Sequence, residues 1–410
     1  MSTFARATAL SLVALALPQA ASADSIQKIK PIATGGKTLE VAGLATGSSG
    51  RPAALLVDRR TGAVTLWRGN EGAATVSRQK IATIEFGIRP NVLRAAGKTG
   101  LLTYWREYRG ERERMIVASG DRLQTRQRFD GYDVVDIAAA PDGRAALLLR
   151  KGKAYGTEVR EFAVATRGPG GRAFGAPVAI GKARSGQVAV GRTADTVTAA
   201  LVSASGVTVA ERATVDRSFT RAAIADDAHA SNVALGVGDS GRITVAWTRS
   251  IVGGRQLVAA TRRAAGAAFD APAAVPVKAA ALDQAPTVYV DGKRDGIVWA
   301  GDFGAAGIWP VVSSRGSGAW KSYFRTDSSA AGREGVAASE PFDNAFGIAA
   351  TTSKSGRVKT ANVGSGGSSR FRTVNGSRDT RTLPRVAAGG SKPWIAVTET
   401  RGKRTTIRIF

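Results

Sequence analysis

Past its first thirty residues the chain is written in short apolar runs, rich in Val, Ile, Leu, Thr and Trp and separated by turns containing Gly, Asp or Ser. Examples are KTGLLTYW ending at Trp105, PDGRAALLL ending at Leu149, DSGRITVAW ending at Trp247, RDGIVW ending at Trp299 and SKPWIAV around Trp394. Runs of this length, enriched in β-branched and aromatic residues and bounded by glycine turns, predict strands buried on both faces or nearly so. No comparable helical periodicity follows the N-terminal segment.

The strands recur. GRAFGAPVA (Gly171 to Ala179) and GAAFDAPAA (Gly266 to Ala274) share the pattern Gly-x-Ala-Phe-x-Ala-Pro-x-Ala and lie 95 positions apart. Phe219 supplies an intermediate copy, and Trp320 and Phe371 continue the series, so five aromatics from Phe174 onward are spaced 45, 50, 51 and 51 residues apart. A repeat of this length is the mark of a solenoid, propeller or array. The first strand of each period starts near Glu40, Pro90, Val134, Gln187, Asn232, Thr287, Gly335 and Pro384.

Each period has room for four strands of about five residues joined by hairpin turns. A single four-stranded sheet cannot cover both its apolar faces, so such sheets stack radially and close into a ring. The expectation is an all-β β-propeller of four-stranded antiparallel blades occupying residues 24–410 as one domain. Eight blades are expected, with seven as the alternative if one degenerate period forms no sheet of its own, and an array of two β-sandwich domains is the rival. The last period, Pro384 to Phe410, holds only about three strands. The N-terminal run SIQKIKPIAT, Ser25 to Thr34, is available as the fourth and would clasp the ring.

The N-terminus alters where such a ring would work. Arg6 precedes an apolar run from Ala7 to Leu17, and Ala21-Ser22-Ala23 precede Asp24, which together read as a signal peptide of residues 1–23. The run is shorter than the roughly 20 residues that cross a bilayer, so no membrane span is expected after cleavage. One arginine in place of a pair favours the general secretion route. The expected localisation is secreted, extracellular or wall-associated. The chain has no cysteine, so no disulfide supports the fold although an exported protein could carry one.

The formal charge is +26. A surface this basic attracts polyanions such as acidic polysaccharide, cell-wall polymer or, non-specifically and with steep salt dependence, nucleic acid. The charges are also spread along the chain, so many arginines, Arg249, Arg262 and Arg263 among them, are expected simply to solvate strand ends.

The unit DSGRITVAWTRS, LVAATRR, AFDAPAAV resembles the blade of secreted bacterial β-propellers of the sialidase-like or uncharacterised blade-repeat kind, over nearly the whole chain after the signal. For sialidases the resemblance implies Asp-boxes of the form Ser-x-Asp-x-Gly-x-x-Trp, three arginines around a carboxylate, a Tyr/Glu nucleophile pair and an acid Asp. The blade turns here, PDGR, GDSGR and GKRDGI, lack that box. Tyr and Asp do occur together in FDGYDVVD, which contains Asp133.

The strongest binding candidate is YWREYRGERER, with Trp105, Arg106, Tyr108 and Arg109. Aromatic planes stack on sugars, and arginine forks grip carboxylate or phosphate. Glu107, Glu111 and Glu113 interleave with the arginines, so a salt-bridged hairpin is the other reading. Asp226, Asp227 and Asp283 fall in expected blade-to-blade connections, where they either start turns or contribute to a carboxyl pair of the glycosidase kind. His229, the sole histidine, sits beside two of them; one His and no Cys exclude the usual structural zinc set, and any Ser/His/Asp triad would have to run through it. No metal or cofactor is expected, and nothing in the sequence signals an oligomeric state. Two functions stand: a secreted binding or scaffold propeller for an anionic extracellular ligand, and a secreted sialidase-like glycoside hydrolase with its site at the central channel mouth.

Overall fold

Each period folds into one antiparallel sheet, and eight such sheets follow one another along the chain. The computed structural model describes residues 33–409 apart from short connections, the longest being 85–89, 153–157, 192–195, 213–217, 303–307, 324–336, 340–345, 353–356, 375–383 and 388–393, and the structural statements below concern the described residues. Blade 3 shows the pattern: Tyr132–Ala139, Ala145–Lys151, Arg160–Arg167 and Val178–Ala183 pair in sequence order as a meander. The innermost strands of the eight blades are Leu39–Thr46, Arg94–Ala95, Tyr132–Ala139, Ser185–Val190, Ala230–Val237, Thr287–Val290, Ala337–Ala338 and Arg385–Ala387. They fall beside the eight starts read from the sequence. The eight-blade expectation holds.

Radial stacking explains why the strands are apolar on both faces. Side chains alternate across a strand with a period of two. In Ala145–Lys151, Ala145, Leu147 and Leu149 pack with Leu102, Met115 and Val117 of blade 2, while Ala146 and Leu148 pack with Val188, Ala199 and Leu201 of blade 4. The core is accordingly divided into clusters that each straddle one seam between blades. One of them joins Val41, Leu44, Leu56 and Trp67 of blade 1 to Trp394, Ala396 and Ile407 of blade 8, so the ring is closed.

The closure uses the N-terminal clasp. Ala33–Gly36 pairs antiparallel with Arg404–Ile409, Thr34 opposite Thr406, and supplies the fourth strand of blade 8. The pairing starts at the end of the segment expected to provide it and runs two residues beyond; residues 1–32, which include the expected signal peptide, lie outside the described residues. Near the axis neighbouring inner strands come very close. A Cβ on Gly43 would lie 2.6 Å from the Leu93 amide nitrogen, and one on Gly236 would lie 2.7 Å from Val288 Cγ1. Glycine is the residue that permits this approach. No helix among the described residues is long and apolar enough to cross a membrane.

All inner strands run the same way through the ring, which defines two faces. The blade-to-blade connections and the turns between second and third strands form the upper face. The turns after the first and third strands form the lower face.

Candidate functional site

Two of the sequence candidates meet at the seam between blades 2 and 3. In the strand Leu101–Arg109 alternation sends Leu101 and Trp105 toward blade 1, and Leu102 and Tyr104 toward blade 3. Arg106 therefore also faces blade 3, where it forms an ion pair with Asp133 on the inner strand. Both are almost wholly buried, at 3% and 4% exposure. Arg150, opposite Asp133 in the blade 3 register, brings Nη2 to 3.6 Å from Asp133 Oδ2, and its Nε has no hydrogen-bond partner. Arg160, at the start of the next strand, is bonded to Glu158. Burial pushes the Arg150 pKa down, and the charges of Arg106 and Arg160 push it down further. Three guanidiniums thus share few carboxylates, and the side chains of Arg150, Arg160 and Lys151 rise in exposure toward the upper face.

Tyr104 lies behind this cluster. Burial, with the negative charge of Asp136, pushes its phenol up to about 12, partly offset by Arg94.

Other candidates land elsewhere. Trp105 is packed in the core between blades 1 and 2, with the Arg126 guanidinium 5.6 Å from its ring centroid, so its plane is not offered to a sugar and the expected stacking role is corrected. Tyr108 is half-buried and stands opposite Glu113 in the hairpin register, as Glu107 stands opposite Arg114. Arg109 stands opposite Arg112 in the backbone register, and its side chain is outside the described residues. Asp226 and Asp227 do lie in a connection, that between blades 4 and 5. Asp227 accepts the Trp247 indole N–H at 2.9 Å and the His229 backbone N–H at 3.2 Å, so it anchors the connection to the core. His229 is exposed. Asp283 lies outside the described residues. The Asp227 and His229 group is two seams away from Arg106 and Asp133, and the two groups do not form one site.

Carboxylates on the inner strands are held by protein groups. Glu40 pairs with Arg59 at 2.8 Å, Asp133 with Arg106, and Asp136 accepts the Val188 amide at 3.0 Å. Among the described residues no three of His, Asp and Glu gather so as to hold a metal ion.

The sequence reading missed what the lower face does with arginine. Arg167, Arg212 and Arg262 end the third strands of blades 3, 4 and 5, and each stands seven residues before its aromatic marker. Their guanidiniums lie 5.2, 5.0 and 5.8 Å from the ring centroids of Phe174, Phe219 and Phe269. They also reach back to the preceding blade. Arg212 Nη2 donates to Thr166 Oγ1 at 2.5 Å, and Arg262 forms a two-pronged pair with Glu211 at 2.5 and 2.8 Å. Arg315 ends the third strand of blade 6 and donates to Asp270 of blade 5 at 2.6 Å. Arg242 completes the stitching with two bonds to the wholly buried Asp295, at 2.7 and 2.5 Å. Arg262 is therefore a buried seam residue and does not solvate a strand end. The pattern Arg-x6-Phe, repeated at Arg167, Arg212 and Arg262 with the aromatic markers, was the available signal. Phe371 lies outside the described residues.

No protein-family model matches the chain, and no curated protein matches it. Among solved structures it is similar to the BP39L lectin from Burkholderia pseudomallei, with a TM-score of 0.54 and 14% identity over 82% of this chain and 98% of that one. It is similar also to the Dos1 propeller (TM-score 0.55, 12% identity, 92% and 94% covered) and to one of two prolyl endopeptidases (0.51, 10%, 88% and 55%). At such identities the likeness is one of fold, and the fold is the β-propeller.

Proposed function

We propose that this protein is an exported propeller that binds an anionic extracellular polymer, an acidic polysaccharide or wall polymer, on the upper face at the seam between blades 2 and 3. The observation that carries the reading is that Arg106 and Arg150 share the single carboxylate of Asp133 while Arg160, bonded to Glu158, adds its charge nearby, so that burial and these cationic neighbours push the Arg150 pKa down. An incoming anionic chain supplies the missing negative charge and meets the more exposed Arg160 and Lys151 beside it. Arginine suits the purpose because its planar fork matches carboxylate and phosphate oxygens. The formal charge of +26 adds long-range attraction, which falls with ionic strength. The lectin among the structural neighbours supports carbohydrate as the partner class. A hydrolase is the weaker reading, since Glu40 is engaged by Arg59 within blade 1 and Asp133 and Asp136 are engaged across the seams to blades 2 and 4.

Titration of the protein with long-chain polygalacturonate at rising sodium chloride tests the reading. Binding is expected at low salt, and an R150Q/R160Q variant with wild-type thermal stability is expected to lose at least tenfold in affinity. Wild-type affinity in that variant, or absence of binding to the wild type at low salt, overturns it.

A further inference from the structure

Blade 2 departs from the lower-face arginine pattern of the blades that follow it, and the departure opens a groove. The turns after the first strands align through one hydrogen bond: Ala96 N to Gly100 O, Ala140 N to Arg144 O, Gly238 N to Arg242 O. Gly100 in blade 2 therefore occupies the place of Arg144 and Arg242. The strand registers, Leu101 with Gly120, Ala145 with Arg167, Val197 with Arg212 and Ile243 with Arg262, put Gly120 in the place of the seam arginines. Blade 2 thus carries glycine at both arginine positions. The vacated space is a groove of about 560 Å³ lined by Gly97, Gly100, Ser119, Gly120, Thr125 and Arg167 among others. That volume is in the range of small-ligand clefts, roughly 300–1,000 Å³.

Arg167 is the seam donor left facing this space. Its counterpart Arg262 is neutralised by Glu211, and Arg212 is met by Thr166; the equivalent position before Arg167 is Ser119, which makes no hydrogen bond to it. Arg167 is 7% exposed, donates only to the Gly143 carbonyl, at 3.2 Å, and its Nε has no partner among the described residues. Burial pushes its pKa down with no carboxylate to offset the effect. Asp142, the acid of the groove, is taken by Arg144 at 2.6 Å. The guanidinium is nevertheless held in place. It stacks on Phe174, whose backbone N–H and C=O are both bonded to the Gln127 side chain, at 2.7 and 2.9 Å. A fixed, buried, uncompensated cation in a glycine-floored hollow is a receptor for an anion, since burial without a counter-charge is costly and a carboxylate removes that cost.

We propose that this groove binds a carboxylate-bearing sugar, with Arg167 gripping the carboxylate and Ser119, Thr125 and Arg172 facing the ring hydroxyls. The site is independent of the upper-face cluster: Arg144 and Arg150 mark the two faces on one strand, six residues or about 20 Å apart at 3.3 Å per residue.

Calorimetric titration of the full chain with trigalacturonate, too short to bridge the two faces, tests the assignment. Two variants carry the test. Arg167→Gln removes the cation, and Ser119→Glu installs the acid that Glu211 provides for Arg262, closing the seam. Both are expected to weaken trigalacturonate binding at least tenfold, with the melting temperature of S119E equal to or above wild type; should S119E not fold, R167Q decides. Undiminished binding in either folded variant, equal affinity for the fully methyl-esterified trisaccharide, or no trigalacturonate binding to the wild type overturns the proposal. Complete displacement by sodium sulfate, at an ionic strength of sodium chloride that leaves the sugar bound, also overturns it, because the site would then serve a free anion. Trigalacturonate binding that survives R167Q, together with polygalacturonate binding that is lost in R150Q/R160Q, leaves the upper-face reading standing while this one falls.

Discussion

Replacing Asp295 by alanine isolates one stitch of the ring. Asp295 is 0% exposed and takes both the Nε and the Nη2 of Arg242 across the seam between blades 5 and 6. The bond to Asp295 is also what raises the Arg242 pKa above its ordinary value. Removing the carboxylate leaves a guanidinium buried at 6% exposure with its counter-charge gone. Orphaning one partner of a buried pair costs roughly 3–5 kcal/mol. Arg242 sits beside the lower-face turn Gly238 to Arg242 and can recover some hydration there, which places the expected loss at the lower end, about 3 kcal/mol. At a urea dependence of about 3 kcal/mol per molar, the upper end for small domains, the unfolding midpoint falls by about 1 M. Tryptophan fluorescence reads the transition, since Trp247 and Trp299 are buried in the second strands of the two blades that the pair joins. The double variant R242M/D295L separates orphaned charge from lost contact. It is expected to recover most of the loss, because replacing a buried pair by apolar groups is often neutral. A loss below 1 kcal/mol in D295A, or a double variant as unstable as the single, refutes the reasoning.

Three further outcomes are expected. The Tyr104 phenol stays neutral in the folded ring until about pH 12, while in the unfolded chain it ionises near its ordinary 10.0. Stability from this group is present below pH 10 and is lost as the pH rises from 10 to 12; the loss, roughly 2–3 kcal/mol, should be smaller in Y104F when urea midpoints are compared over that range. A Thr34→Cys/Thr406→Cys pair sits at opposed positions of the clasp, in a chain without cysteine, and on oxidation should raise the melting temperature by locking the ring; no rise between reduced and oxidised samples counts against the clasp. Asp227→Ala leaves the indole N–H of the fully buried Trp247 without its acceptor and should cost about 1–3 kcal/mol in denaturant unfolding.

Much of the ring was legible because it rests on local, repeated signals. Continuous apolar runs such as Ala145 to Leu149 make sense only when both faces of a sheet are covered, and the aromatic rhythm fixed the period. The partners of those aromatics were harder to read. Phe174, Phe219 and Phe269 mark the repeat by their spacing, yet each is also the platform for an arginine seven residues earlier. In a chain with 58 Lys and Arg, one arginine per blade does not stand out until the strand register shows which positions are equivalent. The upper cluster had the opposite difficulty. Arg106 and Asp133 were both candidates, but Arg150 ends an ordinary apolar strand, and only the pairing of Asp133 with Arg150 brings it to the carboxylate that Arg106 also holds. Trp105 failed as a candidate for a reason fixed by parity: one residue from Arg106, it must face the opposite seam.

The large positive charge is not equally available around the ring. If it were a uniform field, any face of the ring would serve a polyanion equally. From blade 4 to blade 6 the buried arginines are spoken for, Arg212 by Thr166, Arg262 by Glu211, Arg315 by Asp270 and Arg242 by Asp295. The charge of Arg242, Arg262 and Arg315 is offset by a carboxylate inside the seams and contributes little to a ligand in solution. The two arginines whose pKa values are lowered by burial with no carboxylate raising them, Arg150 and Arg167, both belong to blade 3 and lie toward its upper and lower faces. Binding energy for an anion is available where a cation is under-compensated, since an already neutralised pair must be broken before it can bind anything. The departures of blade 2 from the repeat create one such place directly, glycine for arginine at positions 100 and 120, and the shared use of Asp133 creates the other. Degeneracy in this repeat is thus where recognition can be built, because a seam that closes perfectly leaves no cation to offer.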